Sequence, residues 1–185
     1  MSEIKLTNGS IENAILKDSK LTGGYVNGNG YISATGNGTI VFGNAHNNGI
    51  IDASGNGAVA IGHVDNGSIN AKGHGAHAEG YARDGSIDAT GNGAHAEGFA
   101  WTGTINAKGD GAHADGYARD GSIDAKGNGA HAEGFVWTGT ISAKGAGAQA
   151  AGYARDGSID ASGNGAHAEG CNTNALANGA HAEGY

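Results

Sequence analysis

Small apolar and polar residues alternate along most of this chain in short runs, and the runs return at a fixed interval. Gly75-Ala76-His77-Ala78-Glu79-Gly80 sets Ala at every second position between polar neighbours. The motif starts again at Gly93, Gly111, Gly129, Gly147 and Gly165, and the step from 75 to 93 is 18 residues. A further copy begins at Gly179, where the step from 165 to 179 is 14. Two earlier copies are apolar: Gly57-Ala58-Val59-Ala60-Ile61-Gly62 and Gly38-Thr39-Ile40-Val41-Phe42-Gly43. Alternation with period two predicts strands, and a short fixed period predicts coils stacked one on the next.

One coil reads as two strands and two turns. The strand begun at Ala76 continues through Gly80-Tyr81-Ala82-Arg83, Asp84-Gly85 turns, and Ser86-Ile87-Asp88-Ala89-Thr90 alternates as a second strand. Gly91-Asn92-Gly93 turns the chain into the next coil, with Gly supplying positive φ. The predicted fold is therefore all-β: a parallel β-solenoid of about nine coils, mostly 18 residues each, with an N-terminal cap. Tyr31-Ile32-Ser33-Ala34-Thr35-Gly36-Asn37 already fits the second strand, so the repeat domain is placed at 31–185. Residues 1–30 carry Ile11, Ile15, Leu16 and Leu21 and read as a cap or attachment segment for an exposed coil end. Three sixes also make 18, but no six-residue apolar beat is present and the 14-residue step argues against a hexapeptide helix.

Side chains one coil apart become vertical neighbours, so like charges in one column repel. Arg83, Trp101, Arg119, Trp137 and Arg155 form one column in which no Arg lies over another. Guanidinium over indole is favourable, and the strip is a candidate surface for a glycan or protein receptor. A second column does not alternate. His77 and Glu79, His95 and Glu97, His113 and Asp115, and His131 and Glu133 follow without a spacer, and His167 with Glu169 and His181 with Glu183 resume it. Gln149 and Ala151 lose the imidazole and the acid together, as do Val59/Ile61 and Ile40/Phe42. Joint presence and joint loss predict hydrogen-bonded His–acid pairs, within a coil or across chains, on a buried face in the coil interior or between subunits. His-x-Glu from three chains on a threefold axis would suit Zn or Fe. A column repeated so often reads more simply as a packing ladder, so no metal and no other cofactor is assigned.

Composition changes this picture in one respect. There are 38 Gly, no Pro, and few large apolar residues among 185, so one coil buries little and association is expected to supplement it. A net charge of −8 without a basic stripe argues against nucleic acid. No apolar run has membrane-spanning length. Cys171 alone makes no intrachain disulfide framework. Met1-Ser2-Glu3-Ile4-Lys5 has no signal-peptide character, so an extracellular role is expected to arise by another route, such as virion assembly. Enzyme activity is not expected, because His recurs as a column and is not singled out. Calcium repeats of the Gly-Gly-x-Gly-x-Asp type do not fit the spacing. An ice-binding solenoid using Ser68, Ser86, Thr104, Ser122, Thr140 and Ser158 is the alternative, weakened by Asp88, Asp124 and Asp160 beside it.

The motif resembles the head repeat of YadA-type trimeric autotransporter adhesins. Ala58-Val59-Ala60-Ile61-Gly62 is similar to the first half of that family's coil, and Gly170-Cys171-Asn172-Thr173-Asn174-Ala175-Leu176-Ala177-Asn178-Gly179 to the second. The other coils carry four extra residues around Ala82-Arg83-Asp84-Gly85. The His-Ala-Glu-Gly form also resembles repeats of phage tail and neck-appendage proteins. The resemblance spans 31–185. It implies a left-handed parallel β-roll, a homotrimer, and a place in a virion tail fibre or appendage or in a cell-surface adhesin head. Two departures bear on packing: the coil is longer, and the Val/Ile pair is mostly His and Glu.

Overall fold

The computed structural model describes residues 2–5, 13–17, 19–27, 31–162, 167–170, 173–175 and 181–184, with side chains from 31 onward except those of 174 and 175. The described chain is a parallel β-solenoid of about eight turns of roughly 18 residues, slightly fewer than the nine expected. Its two faces are built from two kinds of strand. Val59–Val64, His77–Ala82 and His95–Ala100 stack on one face. Ser68–Lys72, Ser86–Thr90 and Thr104–Lys108 stack on the other. In the next three coils both segments merge into single strands that run through the corner, His113–Lys126, His131–Lys144 and Gln149–Ser162.

The described pairings along the stack are parallel, and from Tyr31 to Ser162 they set each residue on its own repeat equivalent, while the Ser19–Asn27 pairing shifts register between Leu21 and Gly24. His95 lies between His77 and His113, and Ile87 between Ile69 and Ile105. The stacking continues N-terminal of residue 31: Asn13–Lys17 pairs with Tyr31–Thr35, and Ser19–Asn27 with Ile40–His46. The expected cap residues Ile11, Ile15, Leu16 and Leu21 have no described side chains. At the other end Gln149 pairs with His167, but Ile159 pairs with Thr173. That coil thus loses four residues at the corner between its two strands, where the sequence places the insertion.

Alternation selects what faces inward. Ala94, Ala96 and Ala100 from the first strand meet Ile105 and Ala107 from the second, all fully buried. One Ile and several Ala per coil make a thin interior, and burying the Ile contributes about 1.5–3 kcal/mol. Two glycine positions permit the stack. Gly98 has φ of 142°, and a Cβ there would lie 2.0 Å from the carbonyl oxygen of Gly80 one coil away. Gly93 has φ of 68° in open space and serves the turn only. At that turn Asn92 Oδ1 accepts from the Asp110 amide, and Asp110 Oδ1 from the Asn128 amide, so the turns are also laddered.

Candidate functional site

The first-strand face carries four outward columns. Ala78 and Ala96 point inward, so the imidazoles and acids between them point away from the coil. This decides a point left open above: the His–acid ladder does not line the coil interior. It lies on the outer surface, where His95 is 34% exposed and Glu97 47%. The same outward positions hold Ile40 and Phe42, then Val59 and Ile61, in register with His77 and Glu79. These apolar side chains are partly exposed on an isolated chain.

Vertical stacking dominates the ladder. The rings of His77, His95, His113 and His131 stack at centroid separations of 4.9, 4.8 and 4.8 Å. The acids beside them stand at ion-pair range: His77 to Glu79 at 3.9 Å, His95 to Glu97 at 3.8 Å and His131 to Glu133 at 3.6 Å. Among the described ladder residues the exposed His181–Glu183 pair, at 2.9 Å, is at hydrogen-bond distance, and the other pairs within a coil stand further apart. His113 and Asp115 hold the same columns with a shorter acid, and His167 and Glu169 resume them above Gln149 and Ala151. The Nε2 atoms of His77, His95 and His113 are screened from solvent and make no hydrogen bond. Burial, then the adjoining imidazoles, push the pKa of His95 and of His131 below the ordinary 6.5.

Next to this ladder runs a second one that sequence reasoning did not single out. Tyr81, Phe99, Tyr117, Phe135 and Tyr153 stack with centroids 4.7–5.2 Å apart. Its signal was an aromatic residue directly after the Gly80-type glycine in five consecutive coils. The outermost column is the Arg/Trp strip, and the structure places it as expected. The guanidinium of Arg119 sits 4.4 Å from the Trp101 ring, and that of Arg155 4.1 Å from the Trp137 ring. Arg83, Arg119 and Arg155 also face their adjacent acids Asp84, Asp120 and Asp156 at 3.7–3.9 Å. Trp101 and Trp137 remain 40% and 39% exposed. At the N-terminal end of the strip, His63, Asp65, Tyr81, Arg83 and Trp101 line an open groove of about 670 Å³. A short hydrogen bond from His46 holds the Asp65 carboxyl below the usual range.

The opposite face carries the hydroxyl column. Ser86 Oγ donates to Asp88 at 2.5 Å, Ser122 Oγ to Asp124 at 2.6 Å and Ser158 Oγ to Asp160 at 3.2 Å. Asn106 lies between the first two acids and donates to Asp88 Oδ1 at 2.6 Å. These hydroxyls are thus engaged by a charged neighbour column. No helix among the described residues is long and apolar enough to cross a membrane.

Against known proteins the chain matches no family model, no curated protein and no solved structure. The geometry therefore defines a class only: a repeat protein with a parallel β-solenoid fold and laddered outer faces.

Proposed function

We propose that this chain is a non-enzymatic structural and adhesive fibre segment, a homotrimer with a YadA-like left-handed β-roll, at home in a phage tail fibre or appendage or in a surface adhesin head. The observation that carries this reading is the outward placement of Ile40, Phe42, Val59 and Ile61. Contiguous apolar side chains left partly exposed on an outer face are consistent with an interaction surface. They continue into the stacked imidazoles, where the screened nitrogens of His77, His95 and His113 make no hydrogen bond within the chain. A sister chain on this face covers both. The Arg/Trp strip at the edge of the same face stays open and presents a repetitive aromatic and cationic surface to a host glycan or protein receptor. The hydroxyl column is the surface an ice-binding solenoid would use, and its hydrogen bonds to Asp88, Asp124 and Asp160 count against that use.

Val59→Lys/Ile61→Lys tests the reading. Charges at these positions, harmless on a solvated face, break a trimer packed on it. Chemical cross-linking of the wild type is expected to give trimers that the variant loses while its circular dichroism stays β-rich. Equal cross-linking in both would remove this face from the assembly.

A further inference from the structure

The outer ladder also gathers metal-ligating atoms, in a pattern finer than the repeat itself. We propose that each chain carries two sites for a borderline divalent ion such as Zn²⁺, one built by His77, His95 and Glu97 and the other by His113, His131 and Glu133. In each group one ligand atom per residue lies within 4.8 Å of the others. Zn–N and Zn–O bonds of about 2.1 Å put tetrahedral ligands ~3.4 Å apart. Glu97 and Glu133 are about half exposed and free to swing in, and binding also requires the two stacked imidazoles of each group, now 4.9 and 4.8 Å apart, to tilt their nitrogens toward a common point.

Three observations point to a ligand and not merely to packing. The Nε2 atoms of His77, His95 and His113 are shielded from water and make no hydrogen bond. A shielded ring nitrogen without a hydrogen bond carries an uncompensated desolvation cost, and a bound cation removes it. The donor set of two imidazoles and one carboxylate is the kind that suits Zn²⁺ and leaves a fourth position for water or an outside group. Finally, the residue sequence divides the ladder. Asp115 stands in the acid column between the two groups, one methylene shorter than Glu97 and Glu133, and it joins neither. Gln149 and Ala151 then end the donor run in the next coil. An uninterrupted ladder becomes two separate tridentate sets. Two neutral imidazoles and one carboxylate leave a bound divalent ion one net positive charge, which Asp115 lies close enough in its column to offset. The sites use one chain's own side chains and stand whether or not the chain forms a trimer.

The test uses the full chain, stripped with EDTA, desalted and titrated with ZnCl₂ by calorimetry, with zinc content measured after gel filtration. About two equivalents per chain are expected for the wild type. His95→Ala is expected to retain one and His95→Ala/His131→Ala to lose both. Glu97→Gln/Glu133→Gln preserves side-chain shape, so folding is kept while affinity falls about tenfold or more. Co²⁺ substitution adds a readout: visible bands of a four-coordinate N/O site in the wild type that vanish in the His double variant. Zinc uptake by the double His variant equal to that of the wild type, or no uptake by the wild type, overturns the proposal. Solution mass recorded on the same metal-free samples reports assembly separately.

Discussion

Replacing Gly98 by Ala probes the stack at one of its close backbone approaches. The added Cβ would meet the Gly80 carbonyl oxygen at 2.0 Å and its carbon and nitrogen at 3.0 Å. Those are backbone atoms of the coil below, so relief means retreat of that carbonyl by about an ångström and loss of local inter-coil hydrogen bonds. The backbone conformation, φ 142°, adds a cost of about 1–3 kcal/mol for a residue with a side chain. Each inter-coil hydrogen bond lost adds about 1 kcal/mol. A total of about 3–5 kcal/mol is expected, at the upper end for single substitutions. Gly93→Ala is the control. Its φ is 68° and nothing lies within 4 Å, so only the left-handed backbone cost of about 1–2 kcal/mol applies. Urea denaturation followed by circular dichroism compares the two. A Gly98→Ala variant as stable as Gly93→Ala would show that these coils do not lie directly over each other.

Other outcomes follow from the same geometry. Ile105→Ala empties a fully buried position stacked between Ile87 and Ile123, so a loss of about 2–5 kcal/mol is expected by urea denaturation, and under 1 kcal/mol would contradict a closed interior. A double-mutant cycle on Arg119→Ala and Trp101→Ala is expected to give a coupling of about 0.5–1 kcal/mol, and zero coupling would reduce the contact to coincidence. In chelator-treated protein, His95 and His131 hold fewer protons when folded than unfolded, because burial and neighbouring imidazoles lower their pKa. Stability from this source is complete above about pH 6.5 and is lost as pH falls from there through the folded values. Melting temperature should therefore drop between pH 7 and pH 5, and a flat profile would mean that the rings are not crowded as described.

The coil itself was legible because Ser86-Ile87-Asp88-Ala89-Thr90 alternates cleanly between two glycine turns, leaving one register that buries Ile87. The Arg/Trp alternation was legible for a similar reason: vertical neighbours in a stack share a column, so charge has to be spaced. The side of the coil on which His77 and Glu79 stand was not legible. Ala76 and Ala78 are small enough to read as either face, and Val59 and Ile61 suggested burial without saying whether the coil or a sister chain supplies it. The stacking of imidazoles one coil apart was likewise not legible, because His77 and Glu79 read as a pair within one strand before the vertical neighbour His95 is considered. The groove at His63, Asp65, Tyr81, Arg83 and Trp101 drew on three coils of differing sequence, so no single motif signalled it.

Burial of the His–acid and aliphatic face between identical chains is tested most directly by sedimentation equilibrium over a hundredfold dilution. A mass of three times 18.1 kDa that persists on dilution is the expected result. A single species of 18.1 kDa, soluble and folded with Val59 and Ile61 in water, would contradict it.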